Sequence, residues 1–323
     1  MRWSLRITPV IILTLLTFPL FAEWSWVEIP TASAPRVHQA ENGDFVPFRL
    51  GYDPDSESIF LNFLTPEGQG QTWRFDGKKW SSVSDCIIGQ FNTGEIIFDQ
   101  KDQTLFDFIN TLGPWTNIQS IVGQWDGEGW SEVEMLSGQV WDTTYDTRKQ
   151  KIALLELVAA YHALYIVFYN DADPEYVEIP PEVGEPWLIE YDPVHDFHLL
   201  IGSANWLQYG WEYKDGAFHH PDVQFPYDPY TCLFDMVSLA YFPSQEGILV
   251  YTLGGCTLLW KDQEWTIYKH MNWDNNLFFS INSKIVYFPP TQEMFLFLPH
   301  PTTQEMKVFR FRERAHNRPF DRQ

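Results

Sequence analysis

The residues best suited to ligand chemistry are aromatic side chains that stand beside Asn, Asp or His between apolar runs. Flat aromatic rings stack on the C–H faces of sugars while neighbouring polar groups bond hydroxyls, and the same combination suits protein partners. The alternative interpretation is that these rings fill contacts between neighbouring units of the fold. The candidate ligand-binding residues are Trp115, Trp206, Tyr209, His270, Trp273 and Asp274.

Metal chemistry finds little support in the residue pattern. The chain has 9 histidines but no His-Glu-x-x-His or similarly spaced pair. The His219-His220 doublet falls in a predicted strand, where consecutive side chains point to opposite faces, so the two cannot chelate together in the ordinary way. We therefore predict no metal site and no cofactor.

The chain has three cysteines, an odd number, so at most two of them can pair with each other. Cys232 and Cys256 map to the same face of the fold predicted below, so a disulfide between them is one possibility. It would leave Cys86 free, packed as a small hydrophobic side chain.

These candidates lie between copies of a repeated unit, whose period predicts the fold. The unit is a strand that ends in an aromatic residue and a turn, followed by an apolar strand. The aromatic positions are 46, 47, 46, 50 and 46 residues apart. They are Tyr52, Phe98, Tyr145, Tyr191, Tyr241 and Tyr287.

A second unit lies between these copies and consists of two aromatic residues around a polar turn, often Asp-Gly. The clearest copies are 75–80, 125–130 and 213–218, with weaker ones at 260–265 and 169–176. Asp-Gly tolerates positive φ, so two strands can reverse tightly there. Four short antiparallel strands per period are typical of a propeller blade.

The sequence therefore predicts an all-β, six-bladed β-propeller with four antiparallel strands per blade. The last blade lacks an outer strand, and 24–29 resembles the outer strands of other blades, so the N-terminal strand is expected to close the ring. A helical array is the rival fold, and Lys151 to Ala163 could pass for a helix, but its position fits a second strand. The predicted blades are 44–83, 90–134, 137–179, 185–220, 234–268 and 280–313 plus 24–29.

The repeats resemble those of the bacterial Kelch family. The segment 71–83 matches the second half of that repeat, and 248–255 with Trp260 and Trp265 matches the Gly-Gly half. The resemblance implies a propeller of the galactose oxidase-like kind more than an activity. Some relatives are copper oxidases, but only Tyr230 and Cys232 suggest that site, no full motif matches, and no residue role is carried over.

The N-terminus predicts export. Arg2 and Arg6 precede an apolar run, Ile7 to Phe21, which is typical of a signal peptide over 1–22, leaving 23–323 as one propeller domain in the periplasm or outside the cell. An uncleaved anchor, and with it a membrane partner, is the alternative. The net charge of −22 opposes binding to nucleic acid.

Function follows from where the repeats vary. The turns after the first strand and before the fourth are shared, and the Asp residues in them are interpreted as turn formers. The loops on the opposite face differ, so we predict a non-catalytic module that binds a protein or carbohydrate through that face. The alternative is a carbohydrate-active or oxidative enzyme with a pocket over the channel, favoured if carboxylates meet at the channel mouth.

Overall fold

The computed structural model describes residues 23–40, 46–87, 94–111, 119–158, 163–169, 174–204, 207–221, 236–252, 255–268 and 283–314. These residues form β-strands and one short 3₁₀ turn at Pro181–Val183. In chain order the strands are β1 (Glu23–Ile29), β2 (Arg49–Asp53), β3 (Ser58–Leu64), β4 (Gly70–Phe75), β5 (Trp80–Asp85), β6 (Ile96–Asp99), β7 (Thr104–Thr111), β8 (Gln119–Trp125), β9 (Trp130–Leu136), β10 (Gln139–Asp146), β11 (Lys151–Val158), β12 (Ala163–Tyr169), β13 (Glu175–Glu178), β14 (Pro186–Asp192), β15 (Phe197–Ala204), β16 (Leu207–Lys214), β17 (Ala217–His219), β18 (Met236–Phe242), β19 (Gly247–Thr252), β20 (Thr257–Lys261), β21 (Glu264–Tyr268), β22 (Lys284–Phe288), β23 (Glu293–Pro299) and β24 (Met306–Arg314).

The strands form six antiparallel sheets of four strands, which confirms the predicted six-bladed propeller. Blades one to five are β2–β5, β6–β9, β10–β13, β14–β17 and β18–β21, each in sequence order. The segment 151–158 pairs with β10 on one side and with β12 on the other. It is therefore the second strand of blade three and not a helix.

The N-terminal strand completes blade six, as predicted. Sheet order is β1-β24-β23-β22, and Trp26 pairs with Phe311 while Ile29 pairs with Val308. The Trp26 indole Nε1 also donates a hydrogen bond of 2.7 Å to Thr257 Oγ1 in blade five. Strand β1 therefore covers the edge of β24 and ties the two ends of the described chain into one ring.

The core lies between blades rather than in one central mass. Six clusters of buried apolar side chains each join two neighbouring blades, and together they run around the ring. Aromatic residues dominate: Phe75 of blade one lies 5.8 Å from Phe295 of blade six, ring centroid to ring centroid, edge to face. Each fully buried Phe contributes about 1.5–3 kcal/mol, so the high aromatic content stabilises the radial arrangement.

The turn after the first strand of a blade has the same construction throughout the ring. In blades one to four an Asp follows the aromatic position and accepts hydrogen bonds from backbone N–H groups two and three residues later; in blade three Asp146 Oδ1 accepts at 2.9 and 2.7 Å. Those Asp residues are turn formers, as predicted. Five residues after each aromatic position stands a residue with positive φ, between 48° and 56°: Glu57, Gln103, Gln150, Asp196, Glu246 and Gln292.

Candidate functional site

Most of the sequence-predicted ligand residues fall outside the described chain. Trp115, Trp206, His270, Trp273 and Asp274 belong to those segments, and their roles stay predictions. Tyr209 lies in β16, where its backbone is paired with Gly202.

The cysteine prediction also stays open. Cys232 lies outside the described residues, so its pairing with Cys256 is still a prediction. Cys256 is fully buried, and Cys86 is a free, partly buried thiol whose pKa burial raises to about 11. At neutral pH Cys86 is therefore a protonated packing residue, as expected.

The described part of the molecule contains a cavity of about 700 Å³ along the propeller axis. The first strands of all six blades line it, namely β2, β6, β10, β14, β18 and β22. A cavity of this volume suits a small molecule of the size of a sugar or a short oligosaccharide. The central channel, as we call this cavity, is the candidate site.

One end of the channel is aromatic. The six repeat aromatics line it next to the turns that follow each first strand. These rings also hold the blades together: Tyr52 packs edge to face on Phe288 of blade six at 5.7 Å, and the Tyr145 hydroxyl accepts a hydrogen bond of 3.2 Å from Lys101 N–H of blade two. The aromatic positions that sequence analysis treated as repeat markers are therefore part of the channel wall.

The other end of the channel is polar. Three positions before each aromatic, near the start of the first strand, the six blades carry a ring of mostly polar residues, here called the polar ring: Arg49, Glu95, Asp142, Leu188, Ser238 and Lys284. The links from the preceding blade enter at this end, which is the loop-bearing face. All of the ring except Arg49 lines the channel.

Arg49 is turned away from the channel and fully buried against blade two. Its guanidinium donates to both oxygens of Asp107, at 2.6 and 2.9 Å, and Asn62 Nδ2 donates to the same carboxylate at 2.7 Å. The network continues through Thr72 Oγ1, which donates to Asn62 Oδ1 at 2.7 Å and accepts from Trp130 Nε1 at 2.9 Å. A buried charge this completely paired serves to join two blades.

Blade one contributes no charged side chain to the channel wall, and charged residues of the two neighbouring blades meet there. At Gly51 an added Cβ would lie 2.5 Å from the Ile96 carbonyl oxygen, so only glycine allows this close approach of blades one and two. In front of it the Lys284 ammonium of blade six contacts the Glu95 carboxylate of blade two. Burial lowers the pKa of Lys284 to about 8, and the contact with Glu95 opposes that shift.

Blades three and four place two carboxyl groups on the opposite wall. Asp142 Oδ2 accepts a hydrogen bond of 2.8 Å from Ile189 N–H, and Glu190 Oε1 accepts one of 3.2 Å from the Thr144 hydroxyl. Burial raises the pKa of Asp142, and burial together with the neighbouring Asp142 charge raises the pKa of Glu190 to about 8. Both pKa values are therefore shifted toward neutral pH, which is typical of carboxyl groups in functional sites.

The sequence contained a signal for this site that inspection of motifs missed. Aligning the six aromatic positions and reading three residues back gives a polar or charged residue in five of six blades, at the start of a strand that should be apolar. In a propeller the first strands of all six blades converge at the axis, and polar residues at this position of the repeat lie there.

Two further observations concern metal ligands and membrane-spanning helices. Among the described residues there is no group of three or more His, Cys, Asp or Glu side chains placed to hold a metal ion. The described segments also contain no helix with the length and apolar character needed to cross a bilayer.

Together, the ring of six sheets and the axial channel define the class of this protein: a six-bladed β-propeller. No family model matches the chain, and no curated protein matches it in sequence. Solved structures share the fold. SapL1 lectin in complex with α-methyl fucoside has a TM-score of 0.56 at 9% identity, covering 82% of this chain and 92% of its own.

Two more similar structures belong to bacteria. An auxiliary nutrient-binding protein from Bacteroides thetaiotaomicron has a TM-score of 0.56 at 10% identity, over 90% of this chain and 78% of its own. A protein from Thermus thermophilus provisionally described as an oxidoreductase (glucose dehydrogenase) has a TM-score of 0.50 at 10% identity, over 90% and 100%. At such identities the similarity shows the shared fold alone.

Proposed function

We propose that this propeller is a binding module that holds a small polyhydroxylated ligand, a carbohydrate, at the polar end of its central channel. The observation that carries the proposal is the channel of about 700 Å³, aromatic at one end and lined by Glu95, Asp142, Ser238 and Lys284 at the other. Apolar ring faces with a few fixed polar groups are the combination that sugars require. The lectin and the nutrient-binding protein described above support a binding role as analogies of fold.

The loop-bearing face is part of this proposal. The polar ring lies where the links between blades enter, so the candidate residues Trp115, Trp206, Tyr209, His270, Trp273 and Asp274 would extend the site outward from the channel. Charge pairs at the rim of the channel set orientation, while aromatic rings supply contact area.

The test combines a ligand panel with a blocked channel. Binding of glucose, galactose, mannose, α-methyl fucoside and N-acetylglucosamine is measured by calorimetry on the protein and on Ala240→Trp, which fills the channel from β18. We expect at least one sugar to bind and the blocked variant to lose about tenfold or more in affinity.

A matched control places the same indole outside the channel. Val194 is 55% exposed on the turn after β14, so Val194→Trp should leave sugar affinity unchanged. Lys284→Gln is the second channel variant, and it changes a polar contact without filling space. Equal affinity in all four proteins would place binding elsewhere and contradict the proposal.

An enzyme is the second candidate, favoured by the two carboxyl groups of raised pKa on adjacent blades. General acid–base hydrolysis of a glycoside uses such a pair. Release of 4-nitrophenol from 4-nitrophenyl glycosides, abolished in Glu190→Gln, would establish this alternative in place of the binding module.

We also propose that the blades are diverged Kelch-type repeats and that the chain is exported after cleavage of 1–22. Support for export comes from the position of β1, whose first residue, Glu23, directly follows the apolar segment. N-terminal sequencing of the protein recovered from the cell envelope or medium should therefore begin at Glu23. A start at Met1 would favour the membrane-anchored alternative.

A further inference from the structure

A second cavity lies between blades three and four, on the face that carries the turns after the first strands. Its volume is about 470 Å³, and it shares no lining residue with the central channel. We call this cavity the lateral cleft. Its polar lining includes Asp146, Lys149 and Glu175 of blade three and His198, Tyr213 and Asp215 of blade four. The lateral cleft is therefore a candidate site in its own right.

His198 stands at a position of the repeat where the other blades are apolar. Seven residues after each repeat aromatic, those five blades carry buried Ile59, Leu105, Ile152, Ile248 and Met294. His198 is only 3% exposed, and its ring centroid lies 5.4 Å from that of Phe168 in blade three. Its Nε2 has no hydrogen-bond partner among the described residues. A buried polar atom without a hydrogen bond is unfavourable, so in native structures such an atom usually serves a ligand or a water.

The Asp146 carboxylate lies beside this nitrogen. Its Oδ2 is 3.5 Å from His198 Nε2, longer than an ordinary hydrogen bond. The imidazole is neutral near pH 7, because burial, and after it the charge of Lys149, lowers the pKa of His198 to about 3. The adjacent carboxylate favours the tautomer with its proton on Nε2, so the nitrogen donates and the carboxylate accepts. A hydroxyl oxygen accepts from the one and donates to the other, and so can bridge them.

The turn of blade three leaves Asp146 Oδ2 available for such a bridge. In blade four the corresponding oxygen of Asp192 is bonded at 2.9 Å to Nδ1 of His195, three positions later. In blade three that position is Lys149, whose ammonium group donates instead to Glu175 at 3.2 Å. Asp146 Oδ2 therefore keeps acceptor positions for a group in the lateral cleft.

The rim of the lateral cleft carries charges of both signs, and they are paired with each other. Lys149 donates to Glu175, and Arg148 contacts Asp196. A ligand with a net charge would meet groups of its own sign here, whereas hydroxyl groups bond to paired cations and paired carboxylates alike. The lining therefore favours a neutral ligand with several hydroxyl groups.

We propose that the lateral cleft is a second binding site, which holds a neutral polyol with one hydroxyl group bridging His198 Nε2 and Asp146 Oδ2. The inference concerns a cavity separate from the channel, so it does not rest on the function proposed above. It explains why a histidine is kept at a buried position where the other five blades carry Ile, Leu or Met.

The test measures binding with the channel open and with the channel blocked. Calorimetry at about pH 7 on the full protein and on Ala240→Trp uses glucose, galactose, myo-inositol and glycerol, which separate ring sugars from other polyols. At least one of them should bind to both proteins, because the lateral cleft and the channel share no lining residue.

Two substitutions in the lateral cleft should weaken this binding. His198→Leu removes the bridging nitrogen and should lower the affinity of the bound polyol about tenfold. Asp146→Asn keeps an acceptor oxygen for the turn but replaces the second oxygen with an amide NH₂, and it should cost about tenfold to a hundredfold.

The matched control makes the same change outside the lateral cleft. His219 is exposed in β17 of the same blade and does not line the cavity. His219→Leu should leave the affinity for every polyol unchanged. Equal loss in His219→Leu and His198→Leu would show that the effect does not come from the lateral cleft, and would contradict the inference.

Stability gives a second readout, which a merely structural histidine would move in the opposite direction. His198→Leu introduces the residue type that blade two carries at this position, Leu105, and removes the unbonded Nε2. The melting temperature without ligand should therefore rise by about 2–4 °C. A fall of the melting temperature would show that His198 serves the packing of blades three and four, and the inference would be wrong.

The outcomes keep the two sites apart. If no polyol binds to Ala240→Trp, then at most a water bridges His198 and Asp146 and the inference falls, whatever the open channel binds. If Ala240→Trp does not fold, the comparison of His198→Leu with the wild type decides, and unchanged binding there overturns the inference. Binding that is lost on blocking the channel but kept in His198→Leu supports the function proposed above and not the second site.

Discussion

The contact between blades one and two and the contact between blades three and four use the same position of the repeat in opposite ways. Arg49 and Asp142 both stand three residues before the repeat aromatic, at the start of a first strand. Arg49 is withdrawn from the channel, and two hydrogen bonds pair it with Asp107. Asp142 stays on the channel wall, where its bonded partner is a backbone N–H and its neighbour is another carboxyl.

The difference indicates which charges serve the fold. Among the described residues, blades one and two share the smallest apolar cluster, with four buried residues, and their paired charges supply a contact that this packing alone does not. Among the described residues, blades three and four share ten buried apolar residues, so packing supplies most of their contact and the negative charge of Asp142 is not what joins them. Charges retained in a channel despite an unfavourable environment are the ones expected to bind something.

The largest effect is expected from removing the Arg49 charge, which is paired with Asp107 at the contact between blades one and two. Arg49→Met should lower the free energy of unfolding by about 3–5 kcal/mol, because it leaves the Asp107 carboxylate buried without its cation. Urea denaturation measures the change. Arg74→Met removes an exposed guanidinium from the same blade and should cost less than about 0.5 kcal/mol. Similar losses in both variants would mean that the buried Arg49–Asp107 pair contributes no more to the free energy of unfolding than an exposed arginine does.

A smaller effect of opposite sign is expected at Glu190, at the contact between blades three and four, where no cation among the described residues is paired with the carboxyl groups. The folded pKa of Glu190 is raised to about 8, so the stability linked to its protonated form is present in acid and lost as the pH rises through that value. Glu190→Gln stays neutral and should be more stable than the wild type by about 1–3 kcal/mol at about pH 8.5, with little difference near pH 5.

The check is urea unfolding of both proteins at the two pH values. A variant that is less stable than the wild type at the higher pH would mean that Glu190 acts as a structural charge, like Asp107. The comparison between the two contacts would then lose its basis.

The smallest effect concerns the outer end of the blade one–two network. Trp130→Phe keeps the ring packing against Trp125, whose centroid lies 5.4 Å away, but removes the indole N–H that donates to Thr72. The free energy of unfolding should fall by about 1 kcal/mol.

Combining this change with Arg49→Met in a double-mutant cycle should give a non-additive loss, because both groups belong to one hydrogen-bonded chain. Strict additivity would show that the network is a set of independent bonds.

The local construction of each blade could be predicted from the sequence because its causes are local. Tyr145 and Asp146 show the reason: the aromatic ends a strand, and the carboxylate caps the turn two and three residues later. The recurrence of that pair predicts six similar sheets, and the likeness of 24–29 to the other outer strands predicts the closing strand. A turn position with positive φ five residues after the aromatic was equally readable, since Glu, Gln or Asp recurs there.

The candidate site could not be predicted in the same way. Motif inspection favoured the loops, whose candidate residues other than Tyr209 lie outside the described chain, and gave no role to Asp142 or Glu190. Both stand inside strands, where alternation alone marks them as exceptions without saying what they face. Only the superposition of all six repeats would have indicated a polar ring, and it would not have shown that Arg49 leaves it.

The sequence by itself thus determined the repeat and the number of blades, because backbone pairing within a blade and turn capping act between residues close along the chain. It also determined the closing strand, although Trp26 pairs with the distant Phe311, because 24–29 resembles the outer strands of other blades. Tertiary structure alone decided which charges meet. Lys284 contacts Glu95 across 189 residues of sequence, and Arg49 finds Asp107 in the next blade. Such pairings depend on the radial packing of separate sheets around an axis, and electrostatic fit there is set by distances and burial that no local pattern encodes.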